Sequence, residues 1–216
     1  MPPTATSSRP FELGTIGWTV ADLEDPQIEA QWFDGRYEIV EGVLTKMSPG
    51  YFVGGRALKR LERMTEDSLK QQGVLCDFAS EVDLVIDDQR IARPDSMLLT
   101  VADQKKQNSA ALATGRVDPD QARILIPPTL IIESVSPGHE QHDRKTKRNW
   151  YAEFGVPNYW ILDYFGRSLE CLVLAEGSYR LDVAGREIDV VRPSAFQPLS
   201  IPLAALWQMK GEGSAG

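Results

Sequence analysis

The sequence predicts an α+β fold, a mixed or antiparallel sheet with two principal helices. Three observations carry the prediction. Short apolar or alternating runs bounded by turn residues recur along the 216-residue chain. Only two long stretches carry their apolar residues at helical spacing. No repeat and no internal linker divides the chain. Residues 11–210 are therefore expected to form a single domain, between a Pro/Ser/Thr-rich tail at 1–10, expected to be disordered, and a flexible tail at 211–216.

Taken in order, Tyr37–Val40 and Val43–Met47 read as strands around Glu41-Gly42, a two-residue hairpin signal. After Ser48-Pro49-Gly50, the stretch Gly55–Gln72 places Leu58, Leu61, Met64 and Leu69 on one helical face and stops at Gly73. Val74–Ala79 and Val82–Ile86 are strands, with Asp87-Asp88 as a turn. Ile91–Leu99 reads as a further strand whose internal Pro94 implies an edge position or a bulge. Residues 103–120 are polar without a clear period, a loop with room for a short helix around Ser109–Ala113. Pro128–Val135 is apolar except for Glu133, the pattern of a buried central strand. His142–Phe154 is the second helix, closed by Gly155 and Pro157. Tyr159–Asp163, Leu169–Ala175, Tyr179–Val183 and Ile188–Val191 complete the strands.

Composition excludes several classes. With 42% apolar and 25% charged residues, the chain is neither disordered as a whole, collagen-like nor a coiled coil. Cys76 and Cys171 lack C-x-x-C spacing, so a structural zinc site is not expected and both read as reduced, buried thiols. The N-terminus shows no apolar signal-peptide core. The most apolar stretch, Ile124–Ile132, is broken by Pro127 and Pro128 and falls short of the ~20 residues a bilayer span needs. The expectation is a soluble, cytoplasmic protein without a membrane partner.

Three features point to chemistry. Arg93-Pro94-Asp95 places an acid on a strand, and Glu133 is a lone carboxylate in an apolar strand. Burying an unpaired carboxylate is costly, so Glu133 requires a cation, a metal or a proton. On the following helix Asp143, Lys147 and Tyr151 share one face, at i, i+4 and i+8. Two carboxylates from neighbouring strands with a lysine describe a hydrolytic site for a hard metal, since Mg²⁺ prefers oxygen ligands and keeps several waters. Each residue alone has a plainer reading. An Asp after Pro is ordinarily a turn residue, and Asp143/Lys147 is an ordinary helix ion pair.

The residues also resemble a known family. Tyr37-Glu-Ile-Val-Glu-Gly42, Met47-Ser-Pro49, Arg93-Pro-Asp95 and Ile132-Glu-Ser-Val-Ser-Pro137 match its landmarks in order. Asp143, Lys147, Tyr151 and Gly155-Val-Pro-Asn-Tyr-Trp-Ile-Leu-Asp163 follow. The set is similar to the Uma-type restriction endonucleases, a branch of the PD-(D/E)XK nuclease superfamily, over roughly residues 18–207. The resemblance implies a restriction-endonuclease-like core, a mixed β-sheet flanked by helices with extra antiparallel strands. It implies a Mg²⁺ (or Mn²⁺) site with Asp95 and Glu133 as metal ligands, and catalytic roles for Lys147 and Tyr151. Tyr151 is expected to support the lysine or a phosphate. Two positions after the second acid, where the superfamily usually carries its lysine, this chain has Val135; Lys147 on the next helix takes that place. Glu38 is either a further acid near the metal or a hairpin surface residue. The family often has a histidine near position 54, where this chain reads Val53-Gly54-Gly55.

The formal net charge of −8 argues against an all-over basic coat. Basic residues nevertheless gather on the two helices: Arg56, Lys59, Arg60 and Arg63 on the first, Arg144, Lys145, Lys147 and Arg148 on the second. Arg56, Lys59, Arg60, Arg144 and Arg148 are the candidate contacts to DNA phosphates, with weak, salt-sensitive binding expected. A homodimer would supply the second site that cutting both strands requires. Three readings stay open: a metal-dependent endonuclease, an inactive relative of that fold that binds nucleic acid or protein, and an interaction domain in which Glu133–Lys147 is only a stabilising buried ion pair.

Overall fold

The computed structural model describes residues 9–47, 52–114, 123–135 and 142–208, with the side chains of 52–53 and 142–144 outside that description. The element order is α1 (Pro26–Phe33), β1 (Tyr37–Val40), β2 (Val43–Lys46), α2 (Phe52–Gln71), β3 (Cys76–Ala79), β4 (Leu84–Asp87), β5 (Arg90–Ala92), β6 (Ser96–Thr100) and α3 (Val101–Ala113). It continues with β7 (Leu130–Val135), α4 (His142–Phe154), β8 (Asn158–Asp163), β9 (Ser168–Ala175), β10 (Ser178–Arg186), β11 (Val190–Val191), β12 (Ile201–Pro202) and α5 (Ala204–Trp207). Ser48-Pro49-Gly50 and nearly all of both expected tails lie outside the described residues. Arg9, at the edge of the first tail, is fixed. Its guanidinium donates to the carbonyls of Ile16 and Gly17 and lies over the Trp18 ring.

Two compact units divide these elements. The first comprises Met1–Pro49 and Asp83–Arg93; the second comprises Gly50–Val82 and Pro94–Gly216. Because the first unit is discontinuous, the chain crosses between units three times, and no single linker marks the boundary in sequence.

In the first unit an antiparallel sheet runs in the order β2-β1-β5-β4. The β1–β2 turn has positive φ at both Glu41 (49°) and Gly42 (74°), the two-residue turn whose twist matches a hairpin. Helix α1 begins where Pro26 supplies a preset φ and Asp25 accepts the amide of Gln27. Trp18, Leu23, Ile28, Trp32, Ile39, Leu44 and Ile91 form its core.

In the second unit a six-stranded sheet runs β10-β9-β8-β7-β6-β3, parallel only between β7 and β8. That is the mixed sheet expected from the sequence, and Glu133 does sit on a central strand. Side chains alternate along β7. Leu130 and Ile132 pack on Ala57, Leu58 and Leu61 of α2, together with Trp160, Leu162 and Leu206. Glu133 turns to the other face, where α4 supplies its partners.

Two expectations need correction. The strand read over Ile91–Leu99 is two strands in two different sheets, β5 ending at Ala92 and β6 starting at Ser96. Pro94 lacks an amide hydrogen and cannot carry a ladder through, so the chain leaves one sheet there and enters the other. The polar stretch after Leu99 is also not a loop with a short helix. α3 runs over 13 residues, started by a reciprocal cap between Thr100 and Asp103. Its buried positions, Asp103, Gln107 and Ala111, are mostly polar and satisfied by hydrogen bonds; Gln107 bridges the Arg123 carbonyl and the Leu125 amide. A helix whose buried stripe is polar shows no hydrophobic period.

Candidate active site

Asp95 lies in the bend just before β6, and Glu133 is the fourth residue of β7. The register pairs Ser96 with Ile132, so the two acids meet at the open end of the β6–β7 ladder. Their contacts are reciprocal. The Ser134 amide donates to Asp95 Oδ2 at 2.7 Å, and the Asp95 amide is 3.5 Å from Glu133 Oε2. Each carboxylate is thereby aimed by the backbone of the other acid's strand. Among the described residues no third His, Cys, Asp or Glu joins them in a cluster.

Helix α4 brings two further groups, and both reach the same oxygen. The Tyr151 hydroxyl donates to Glu133 Oε1 at 2.7 Å, while Lys147 Nζ stands 3.4 Å away from it. The Lys147 and Glu133 side chains are only 8% and 13% exposed, so their attraction is weakly screened. Glycine ends the helix at the right place. Gly155 takes φ +89°, and the amides of Gly155 and Val156 cap the Tyr151 carbonyl. The Tyr151 ring is fully buried, edge-on to Tyr159. Its hydroxyl is directed at Glu133 Oε1.

The structure thus gathers Asp95, Glu133, Lys147 and Tyr151 in the second unit. Glu38 lies in the first. Burial removes its reading as a hairpin surface residue, and its Oε1 accepts the Arg93 amide at 2.9 Å. Position 54, in the first turn of α2, faces Ser134: a Cβ built on Gly54 would stand 3.2 Å from Ser134 Oγ. The contribution that residue-type reasoning could not find is the Ser134 amide, because a backbone donor has no signature in sequence.

The basic candidates serve the fold as well. Arg60 donates to the Leu206 carbonyl at 2.7 Å, Arg148 to the Tyr179 carbonyl at 2.7 Å, and Lys59 to Ser80 Oγ at 2.9 Å. Arg56 is half-buried, and the Arg144 side chain lies outside the described residues. Burial raises the Tyr179 hydroxyl above its ordinary pKa although the Arg148 charge opposes it. Both cysteines are free thiols; Cys171 is buried as expected, whereas Cys76 is only half-buried. Burial first, then the Asp182 carboxylate, pushes Cys171 far up. No described helix is long and apolar enough to cross a membrane.

Two carboxylates on adjacent strand ends suit a hard divalent cation, which is commonly held by one or two acids, with water and substrate phosphate completing its shell. The residues present fit such an ion.

Comparison with known proteins yields three findings. Nothing among curated proteins matches the chain. A crystal structure described as a putative nuclease belonging to DUF820, from Anabaena variabilis ATCC 29413, is similar with a TM-score of 0.61 at 14% identity. The similarity covers 81% of this chain and 90% of that one, and it shows the shared fold, a restriction-endonuclease-like mixed sheet flanked by helices. The profile of the family described as "Uma2: Putative restriction endonuclease" matches residues 27–204, and this chain belongs to that family.

Proposed function

We propose that the protein is a divalent-metal-dependent endonuclease that hydrolyses phosphodiester bonds in DNA, with Asp95 and Glu133 as ligands for Mg²⁺ or Mn²⁺. The reciprocal clamp between Asp95 and Glu133, with Lys147 and Tyr151 both on Glu133 Oε1, is the observation that carries this reading. When bound, the ion would lower the pKa of a coordinated water and offset charge building on phosphorus. The Ser134 amide holds the Asp95 carboxylate, and Tyr151 holds Glu133, so neither acid must reorganise when the ion arrives. Lys147 projects from α4 rather than from β7. Its ammonium orients the attacking water or stabilises the charged transition state; for either task only the position of its charge matters. Arg56, Lys59, Arg60, Arg144 and Arg148 supply phosphate contacts, giving weak and salt-sensitive DNA binding. A homodimer brings two sites to the two strands.

The test is nicking of supercoiled plasmid with and without Mg²⁺ or Mn²⁺. Cleavage should require the metal and fall at least about 100-fold in Asp95→Ala and in Glu133→Ala. Equal cleavage in wild type and both variants would sink the assignment. A folded wild type with no calorimetric Mn²⁺ binding would favour a binding module that does not cut.

A further inference from the structure

Glu62 has no part in the reaction just described. In sequence it is an acid among Arg56, Lys59, Arg60 and Arg63, the pattern of a solvated helix face. In the structure it is 6% exposed, on the side of α2 that faces the sheet. Its Oε1 accepts the hydroxyl of Ser96 at 2.7 Å, and Ser96 is wholly buried. Lys59 Nζ lies 2.8 Å from Oε2, but that lysine is 62% exposed, so the i,i+3 pair contributes little. Burying a carboxylate is costly. Here its buried oxygen goes to the residue that directly follows Asp95.

Ser96 is also opposite Ile132, the residue directly before Glu133. The Ser96–Glu62 bond therefore pins, from the α2 face, the step of the ladder on which both acids are carried. The Asp95–Ser134 and Glu133–Tyr151 bonds secure the same end from their own side.

We propose that Glu62 is a positioning residue: through Ser96 it holds Asp95 and Glu133 at the spacing that binds a divalent cation. The inference rests on the metal-dependent reading above. It is tested by Mn²⁺ affinity from electron paramagnetic resonance, plasmid nicking and thermal melting, on wild type, Glu62→Ala, Glu62→Gln and Ser96→Ala. Glu62→Ala and Ser96→Ala should each weaken Mn²⁺ binding about 10-fold and lower kcat similarly, with KM for DNA unchanged. Glu62→Gln keeps an acceptor for Ser96 and should return both quantities close to wild type. Wild-type Mn²⁺ affinity and kcat in Glu62→Ala would overturn the inference, whatever happens to the melting temperature. Should Glu62→Ala fail to fold, Ser96→Ala, which removes a single hydroxyl, decides between the same two outcomes. A wild type that neither binds Mn²⁺ nor nicks overturns the metal-dependent reading and the positioning role together, before any substitution is made.

Discussion

Each unit of the molecule buries an acid against a base, and the two pairs are built differently. In the first unit Arg93 donates to Asp83 Oδ1 through Nε at 2.9 Å and Nη2 at 2.7 Å, while Trp32 donates to Oδ2 at 2.7 Å. A third guanidinium nitrogen reaches the Gly35 carbonyl at 3.0 Å, and the two side chains are 7% and 2% exposed. In the second unit Lys147 Nζ stands 3.4 Å from a Glu133 oxygen that Tyr151 already holds. A planar guanidinium engaged along several edges is a structural joint. An ammonium at 3.4 Å from a carboxylate oxygen is a looser approach. Both pairs are buried; what differs is the tightness of the acid–base approach, 2.7 Å against 3.4 Å.

The comparison can be broken by substitution. The largest effect is expected from Asp83→Ala, which strands a buried guanidinium and should cost about 3–5 kcal/mol by denaturant titration. A loss below about 1 kcal/mol would remove the contrast with the second pair. Lys147→Met should do the reverse, lowering nicking about 100-fold while destabilising less than Asp83→Ala does, because Tyr151 still satisfies Glu133. A variant that nicks normally but melts early would make Lys147–Glu133 an ordinary buried ion pair. Tyr151→Phe removes one hydroxyl from Glu133 Oε1. It should lower nicking about 10-fold and stability by about 1 kcal/mol. Unchanged cleavage would mean that Lys147 alone suffices to orient Glu133.

Much of this was legible in the chain. The Glu41-Gly42 hairpin, the helix over His142–Phe154 and the apolar run around Glu133 are local patterns, and local patterns survive without a partner. The shared face of Lys147 and Tyr151 was legible too, since i, i+4 spacing sets it whatever lies opposite. Less could be read where a residue's environment comes from distant sequence. Glu62 and Arg60 look like solvated charges until Ser96 and the Leu206 carbonyl are set against them. Asp103 and Gln107 look like loop residues until Thr129 and Arg123 satisfy them.

By itself, then, the sequence determined the fold class and most of the local elements, because periodicity and turn chemistry are short-range, and it marked Asp95, Glu133, Lys147 and Tyr151 as candidates. Tertiary structure alone decided that Pro94 divides two sheets, that Tyr151 and Lys147 share one oxygen of Glu133, and that an acid on a basic helix is buried behind the site. A polar group's burial depends on which remote donor or acceptor replaces its water, and no local pattern encodes that partner.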